Sequence, residues 1–183
     1  MSQTSNLKLW TIHDKKFFDL ILEKEETKAD WNFISFPEFK EPYLYMISQM
    51  KKRGIPIDDN HPPIWAWEKK PDLRRGGHLE QGTEGVRIEI SVPESLVLLS
   101  DFDAWHFVLN NTYIGYSEEE FDEYFKLEKP NRYDKLKKSS WEQIFKDYPK
   151  NTDHFAAKDR VFQATLPYIK KEWIRSYKFF KGK

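Results

Sequence analysis

Residues 87–111 read RIEISVPESLVLLSDFDAWHFVLNN, and within them the hydrophobic pattern changes from the period of a strand to that of a helix. Arg87 to Val92 alternates between polar and apolar side chains, which predicts a half-buried strand, and Val97 to Leu99 is a second short apolar run. A helix is predicted directly afterwards, from Asp103 to Asn110. Carboxylate, imidazole, indole and amide groups thus follow a buried strand within about three helical turns. Packing does not require this collection, so the stretch predicts part of a functional site.

The same analysis along the rest of the chain predicts helices early and mostly strands later. The other predicted strands, rich in β-branched and aromatic residues, lie at 7–12, 64–67, 161–169 and 176–180. The other predicted helices lie at 14–25, 42–53 and 116–127. Pro167 places the 161–169 strand at a sheet edge, and 129–139 is predicted to be a basic, turn-rich linker. We expect a single α+β domain over residues 1–183, with a mixed or antiparallel sheet and flanking helices.

Composition excludes several classes of protein. The chain has 183 residues, and its 30 Lys and Arg residues balance 30 Asp and Glu residues, so the formal net charge is zero. Proteins that coat nucleic acid or lie on anionic membranes carry a basic excess, so neither class is expected. The absence of cysteine excludes disulfides and thiolate metal sites and fits a cytoplasmic protein. No apolar run has the length of a signal-peptide core or a membrane span, so no membrane partner is expected.

Asp101, Asp103 and His106 carry the atoms needed for acid–base chemistry or for binding a divalent cation. Asp103 and His106 are three residues apart and share one face of the predicted helix. The structural alternative is that either aspartate caps this helix while His106 packs beside Trp105. A metal site would need further ligands, and no metal cofactor is expected because the remaining histidines are scattered. Those histidines are His13, His61, His78 and His154.

Tryptophan side chains are the candidates for stacking on a flat ligand. Aromatic residues make up 16% of the chain, so some of them are available beyond the core. Trp65 and Trp67 alternate on one predicted strand and therefore point to the same face of the sheet. With Trp10 they would wall a slot for a nucleobase or a nicotinamide ring. The alternative is that all three fill the core of one sheet face.

The segment PDLRRGGH, residues 71–78, lies in a long loop and is the candidate for binding phosphate. The guanidinium groups of Arg74 and Arg75 can bind phosphate through paired hydrogen bonds, and the glycines allow backbone N–H groups to approach an anion. His78 closes the segment. Its spacing is neither that of a Walker loop nor that of a dinucleotide fingerprint. The segment is therefore either a contact for pyrophosphate or a nucleic-acid backbone, or a solvated surface loop.

Several motifs together resemble an uncharacterised bacterial domain-of-unknown-function family over nearly the whole chain. These motifs are LWTI (9–12), PIWAW (63–67), KPDLRRGGHL (70–79), LLSDFDAWHFVLN (98–110), SWEQIF (140–145) and QAT (163–165). The family has no assigned activity. This resemblance therefore implies an architecture without a chemistry.

The order of elements also resembles the ADP-ribosyltransferase fold, in particular the DNA-targeting ADP-ribosyltransferase toxins of toxin–antitoxin pairs. Like those chains, this one opens with a strand and a helix (9–25) and has a mid-chain strand that ends in an acidic turn and a helix (98–110). A Trp-containing helix, a loop, a strand, a short turn and a last strand follow. The resemblance implies NAD as co-substrate, in a cleft between the strand at 9–12 and the strand at 161–166.

Two positions depart from the toxin pattern. The family's catalytic glutamate would fall on Thr165, and its first-strand basic residue would fall near Thr11, with His13 two positions on. Threonine cannot act as a general base at neutral pH, so another residue substitutes, the reaction differs, or the site only binds. The candidate substitutes are Gln163, Asp101, Asp103 and His106. RNA 2′-phosphotransferases share the fold and lack the glutamate, and they use Arg and His side chains to bind and transfer a phosphate. This chain has candidates for the same roles, so that variant of the reaction stays open. The candidates are Arg74, Arg75, His13 and His78.

The resemblance therefore implies transfer of ADP-ribose from NAD to a nucleic-acid or protein acceptor. The resemblance adds a toxin or defence role and a protein antitoxin as partner. In this interpretation Trp10 and Trp65 or Trp67 stack on the nicotinamide, while Arg74 and Arg75 meet the pyrophosphate. Two alternatives stay open. One is a non-catalytic module that binds a nucleotide or a partner, and the other is a metal-dependent nuclease or phosphohydrolase built on Asp101, Asp103 and His106.

Overall fold

The computed structural model describes five segments of the chain, and for residues 130–133 it describes the backbone. The described residues are 5–34, 36–115, 117–127, 130–145 and 161–183. His154, the loop predicted at 147–159 and the first residue of the helix predicted at 116–127 lie outside them. Within the described residues the fold is α+β, as the sequence predicts.

Six strands form one sheet in which every neighbouring pair is antiparallel. They are β1 (Asn6–Asp14), β3 (Ile64–Trp67), β4 (Glu84–Pro93), β5 (Leu98–Asp101), β6 (Phe162–Leu166) and β8 (Ile174–Lys181). Their order across the sheet is β5-β6-β3-β1-β4-β8. Two short strands, β2 (Glu26–Thr27) and β7 (Ile169–Lys170), pair with each other separately.

Five α-helices accompany the sheet in the described part of the chain. They are α1 (Lys15–Glu23), α2 (Lys40–Lys52), α3 (Phe102–Leu109), α4 (Glu118–Phe125) and α5 (Pro130–Ser140). Two of them begin as the sequence predicts. Asp14 accepts a hydrogen bond from the Phe17 amide at 2.7 Å, and Ser117 accepts one from the Glu120 amide at 3.2 Å. None of the described helices has the length and apolarity needed to cross a membrane.

Two structural predictions were wrong. The strand predicted at 161–169 is not an edge strand, because β6 ends at Leu166 and lies between β5 and β3. Pro167 follows the last paired residue and so removes no hydrogen bond from the sheet. The linker predicted at 129–139 is instead the helix α5. Its first residue is Pro130, a position where the missing N–H costs nothing, so the proline starts the helix rather than interrupting it.

The sheet has a separate apolar core on each face. On one face, α1 packs Phe18 and Ile21 against inward-facing residues of β1 and β4, such as Leu9 and Ile88. On the other face, α2, α3 and a 3₁₀ helix at Trp141–Ile144 pack on β5 and on Trp65 of β3. The buried side chains of this second core include Met46, Met50, Leu98, Trp105 and Trp141.

The sheet opens between its two central strands. β1 pairs with β4 along its whole length, from Asn6 opposite Pro93 to Asp14 opposite Gly85. Its register with β3 on the other side consists of the single pair Trp10–Trp67. The end of β1 and the start of β3 therefore diverge. This divergence positions the candidate site.

Candidate functional site

A cavity of about 690 Å³ occupies the place where β1 and β3 diverge. Its volume lies within the range of sites that bind small molecules and cofactors. Its walls come from the end of β1, the start of α1, the loop at 29–34, α2, the start of β3 and the loop at 78–83. The lining residues are Ile12, His13, Asp14, Phe17, Ala29, Asp30, Phe33, Ile34, Tyr43, Pro62, Pro63, Ile64, Trp65, Trp67, His78, Leu79, Glu80 and Thr83.

Aromatic rings form much of the wall, and neighbouring side chains hold several of them. The Trp65 Nε1–H group donates a hydrogen bond to the Tyr43 hydroxyl at 3.1 Å, and the two rings meet edge to face. Trp65 also lies 5.0 Å from Trp105, between ring centroids, so the second core supports it from behind. Phe33 is different, because it is 68% exposed at the rim. The cavity thus has a rigid inner wall and an exposed aromatic at its edge.

A hydrogen-bond chain links β1 to β3 at the back of the cavity. The buried Thr11 hydroxyl donates to the Trp65 carbonyl oxygen at 2.7 Å and lies 2.7 Å from His13 Nε2. A hydroxyl has one hydrogen, and here the carbonyl takes it. The contact with His13 therefore requires an Nε2–H group that donates to Thr11. This tautomer leaves Nδ1 as the acceptor nitrogen of the ring.

Burial keeps the His13 ring neutral. It lowers the pKa of His13 to about 4, and the nearby Asp14 carboxylate opposes this shift only partly. The ring also packs on Phe17, with 4.3 Å between centroids. At neutral pH His13 is therefore an uncharged imidazole held in one tautomer.

The charged residues that line the cavity are acidic. Asp14, Asp30 and Glu80 contribute carboxylates, and no Lys or Arg is among the lining residues. Two of these carboxylates are already used, because Asp14 caps α1 and Asp30 accepts a hydrogen bond from the Asn32 amide at 2.8 Å. The Glu80 side chain is exposed at the cavity and has no hydrogen-bond or ion-pair partner among the described residues. The cavity therefore favours a neutral or cationic group.

The C-terminal end of the chain holds the wall that carries Glu80. Gly182 donates a hydrogen bond to the Thr83 carbonyl oxygen at 2.8 Å and accepts one from the Gly82 amide at 2.9 Å. A Cβ atom on Gly182 would overlap the Glu80 carbonyl oxygen, so only glycine permits this approach. The turn at 80–83 is thus fixed to the residue that follows β8.

The cavity brings together part of the predicted ligand-binding set. His13, His78, Trp65 and Trp67 line it, and Thr11 lies directly behind His13. The predicted cleft between β1 and β6 is not present, because β3 lies between these strands and pairs with both. The opening occurs one strand earlier, between β1 and β3.

The other predicted ligand-binding residues lie away from the cavity lining. Trp10 faces a smaller recess on the β4 side of β1. Arg74 and Arg75 are exposed, on the loop that leads to His78. Arg74 is bound to Asp72 through contacts of 2.8 to 3.1 Å, and these hold the pKa of the Asp72 carboxyl well below its usual range.

Asp101, Asp103 and His106 do not converge on a common point. Asp101 is buried and caps α3, with Oδ1 accepting a hydrogen bond from the Ala104 amide at 2.8 Å. Asp103 is exposed, and the exposed His106 ring uses Nδ1 in a 2.9 Å contact with the Phe102 carbonyl oxygen. Within the described ranges, no three His, Asp or Glu side chains are grouped so that they can hold a metal ion. The described residues therefore offer no support for the metal-dependent alternative.

Gln163 and Thr165 are buried on β6, outside the cavity lining. The Gln163 amide lies 3.4 Å from the Ser100 hydroxyl, and the Thr165 hydroxyl donates to the Leu98 carbonyl oxygen at 3.3 Å. Both contacts join β6 to β5. Gln163 is also opposite Trp67 in the sheet, so it is one residue away from the cavity wall.

Several lining residues were not singled out from the sequence. Phe17 and Tyr43 lie within the helices predicted at 14–25 and 42–53, and a helical pattern does not show that a cavity lies beside them. Asp30 and Glu80 lie in loops and belong to no motif. Only the divergence of β1 from β3 brings these loops together, so no local signal identified them.

A family model described as a domain of unknown function, DUF3841, matches residues 8–175. The match runs from β1 into β8 and so includes every strand that borders the cavity. No curated protein and no solved structure matches the chain. The chain belongs to the DUF3841 family, as the motifs at 9–12, 63–67 and 98–110 indicate.

Proposed function

We propose that the cavity binds the nicotinamide–ribose half of NAD and that the protein transfers ADP-ribose to a nucleic-acid or protein acceptor. One observation carries the proposal: the sheet opens between β1 and β3 onto a cavity of about 690 Å³ with aromatic walls and acidic charge. The size, the flat aromatic surfaces and the charge each match this half of the molecule.

The charge of the cavity suits the chemistry. The nicotinamide ring of NAD is cationic, and breaking its bond to the ribose moves positive charge onto the sugar as an oxocarbenium ion. Carboxylates held beside such a centre stabilise its positive charge. Asp14, Asp30 and Glu80 supply negative charge, and the neutral His13 adds no opposing positive charge.

The proposed step is a substitution at the anomeric carbon of the ribose. The bond from this carbon to the nicotinamide nitrogen breaks, and nicotinamide leaves as a neutral molecule. The acceptor then bonds to the same carbon and loses a proton. Trp67 would stack on the nicotinamide, and His13 Nδ1 would accept a hydrogen bond from a ribose hydroxyl. Most of the rate enhancement would come from positioning and electrostatics, because His13 is too weak a base to carry the proton.

The ADP-ribosyltransferase part of this proposal rests on the resemblance in the order of elements. β1 leads directly into α1, β5 ends at Asp101 and leads into α3, and Trp141 begins a short helix. β6, a short turn and β8 follow. Each of these steps is one that the resemblance implies.

Arg74 and Arg75 would meet the pyrophosphate outside the cavity. No cation lines the cavity itself, so the two phosphates of NAD would lie beyond its rim. The loop that carries both arginines enters the rim at His78, whose ring lies 3.0 Å from the Asp72 carbonyl oxygen. An extended dinucleotide with its nicotinamide inside would therefore leave its pyrophosphate on the side of this loop. A toxin role and an antitoxin partner remain part of this proposal.

A second candidate function is binding without catalysis. Thr165, at the position where the resemblance places a glutamate, is fully buried and uses its hydroxyl on Leu98. It therefore presents no group to a ligand in the cavity. This observation favours a module that recognises a nucleotide and performs no chemistry.

Thermal unfolding with and without about 1 mM NAD tests the proposal, together with detection of released nicotinamide by mass spectrometry. NAD at 100 times its dissociation constant adds about 2.7 kcal/mol, which raises the Tm by several degrees for a domain of this size. A rise in Tm with nicotinamide release is expected for the enzyme. A rise without release fits the binding module or an enzyme whose acceptor is missing, and an unchanged Tm at this and higher NAD concentrations contradicts both functions.

A matched pair of variants localises the binding. Trp67→Ala removes a wall of the cavity, whereas Tyr168→Ala removes a half-buried aromatic side chain that stacks on Trp173 and does not line it. Each variant is compared with its own ligand-free Tm, so a loss of intrinsic stability does not affect the comparison. We expect the NAD-induced rise to fall in Trp67→Ala and to persist in Tyr168→Ala. Equal rises in both would place NAD elsewhere.

A further inference from the structure

A second, smaller recess lies on the other side of β1, where β1, β4 and β8 face outward. Its volume is about 200 Å³, and its lining residues are Trp10, Lys70, Arg87, Glu89, Ser176, Tyr177 and Lys178. It shares no lining residue with the cavity between β1 and β3. The proposed NAD site therefore does not account for it.

The recess is lined by two cations from opposing positions of a strand pair. Arg87 on β4 and Lys178 on β8 are opposite one another in the antiparallel register. Their side chains point to the same face, and both line the recess. Lys70, from the loop after β3, adds a third cation. Like charges at opposing positions of a strand pair destabilise the sheet, so the arrangement is unfavourable unless an anion lies between them.

The single carboxylate of the recess is already neutralised. Glu89 forms an ion pair with Lys8 at 3.0 Å, and this hydrogen bond, with further help from Lys70, lowers the pKa of the Glu89 carboxyl. The Lys8 ammonium group also lies 5.1 Å from the centre of the Trp10 ring. Glu89 and Lys8 thus satisfy each other, and the charges of Arg87, Lys178 and Lys70 remain in excess.

Arg87 is held in place within the recess. Its Nη1 group donates a hydrogen bond of 2.7 Å to the Pro71 carbonyl oxygen, which fixes one side of the guanidinium group and leaves its other donors for a ligand. Ser176, opposite Glu89 in the sheet, donates its hydroxyl hydrogen to Glu89 Oε2 at 3.5 Å, which is a further contact that satisfies this carboxylate. A fixed guanidinium group and two ammonium groups are donors of the kind that bind a phosphate group.

We propose that this recess is a binding site for a phosphate group, supplied either by a free phosphate monoester or by the phosphodiester backbone of a single-stranded nucleic acid. The phosphate would lie between Arg87 and Lys178 and would relieve their mutual repulsion. The site does not depend on the NAD proposal, and a separate experiment tests it.

Titration of the ¹⁵N-labelled protein in phosphate-free buffer tests the site, with inorganic phosphate and a single-stranded oligonucleotide of about ten nucleotides as separate probes. We expect saturable shifts of the Arg87, Ser176 and Lys178 amide signals.

Lys178→Gln weakens binding by roughly tenfold, because one charged hydrogen-bond donor is lost. Without ligand the same variant has a higher Tm than the wild type, because the repulsion with Arg87 is gone. Lys16→Gln makes the same change of charge on exposed α1 and serves as the control.

The two probes distinguish the source of the phosphate. If inorganic phosphate binds and the oligonucleotide does not, the ligand is a free phosphate or monoester. If the oligonucleotide binds more tightly, three contacts give log K a slope of about −2 against log salt, and Lys178→Gln reduces this slope by about 0.7. Absence of saturable shifts with both probes overturns the proposal. Equal weakening by Lys178→Gln and Lys16→Gln also overturns it, because binding would then follow net charge alone.

Discussion

His13 shows how one side chain acquires its properties from its neighbours. Thr11 accepts a hydrogen bond from its Nε2–H group, and burial keeps the ring neutral. A histidine at this position cannot supply a positive charge at neutral pH, which distinguishes it from the basic residue that the toxin resemblance places on the first strand. Its contribution is an oriented acceptor nitrogen.

The lowered pKa of His13 predicts a pH-dependent stability. In the unfolded chain the imidazole has the ordinary histidine pKa of 6.5, whereas in the folded protein the pKa is about 4. Protonation therefore favours the unfolded state, so the stability present above pH 6.5 is lost as the pH falls towards 4. The loss attributable to His13 at pH 5 is about 2 kcal/mol. Urea unfolding at about pH 7.5 and about pH 5 measures it.

The control for this prediction is His13→Gln, which retains an amide that can donate to Thr11 but does not titrate. Because carboxylates also begin to titrate near pH 5, the comparison is between the pH dependence of the wild type and that of the variant. We expect the wild type to lose more stability than the variant. Equal losses would show that His13 keeps an ordinary pKa in the folded protein.

At the level of single elements, helix caps account for residues that resemble catalytic groups. Asp14, Asp101 and Ser117 each accept a hydrogen bond from a backbone N–H group in the first turn of a helix. An aspartate before a helix has the same sequence signature whether it caps the helix or faces a ligand. At Asp101 the observed contact is the cap.

Asp101→Ala is predicted to reduce the free energy of unfolding by about 1–2 kcal/mol, since the first turn of α3 loses its cap. Asp101→Asn keeps a side-chain oxygen for the Ala104 amide and is expected to lose less than half as much. Chemical denaturation of both variants measures these losses. Asp103→Ala, at an exposed position on the same helix, is the control and should stay within about 0.5 kcal/mol of the wild type. A cap role is excluded if Asp101→Ala is as stable as the wild type.

At the level of the whole molecule, the two ends of the described chain meet at the cavity. β1 supplies one wall, while Gly182, just after β8, holds the turn at 80–83 that forms another. Gly85 completes this junction, because a Cβ atom there would press on Leu79 and Phe180. The cavity therefore depends on contacts that are far apart in the sequence.

Gly182→Ala is predicted to displace the turn that carries Glu80, because the added methyl group overlaps the Glu80 carbonyl oxygen. We expect a loss of about 1–3 kcal/mol in the free energy of unfolding and a smaller NAD-induced rise in Tm. Hydrogen exchange at the Gly82 and Gly182 amides measures the displacement directly. Lys183→Ala leaves the backbone contacts intact and is the control. Unchanged exchange at both amides in Gly182→Ala would show that the C-terminus does not hold this wall.

The sequence by itself determined most of the elements and the α+β class, because hydrophobic period and capping residues act over a few neighbouring positions. It placed β1, β3 and β4 and the start of α1 correctly. It wrongly predicted β6 as an edge strand and α5 as a linker. In each case a proline caused the error: Pro167 can lie in an edge strand or just after a central one, and Pro130 can lie in a turn or begin a helix.

Only the tertiary structure decided which residues share a site. His13, Trp65, Trp67 and His78 come together, whereas Asp101, Gln163 and Thr165 are used in capping or in joining β5 to β6. The reason is physical. A side chain's face follows from its strand or helix, but its neighbours depend on strand order, and strand order depends on pairings between distant segments. The divergence of β1 from β3 is such a pairing property, and it creates the cavity.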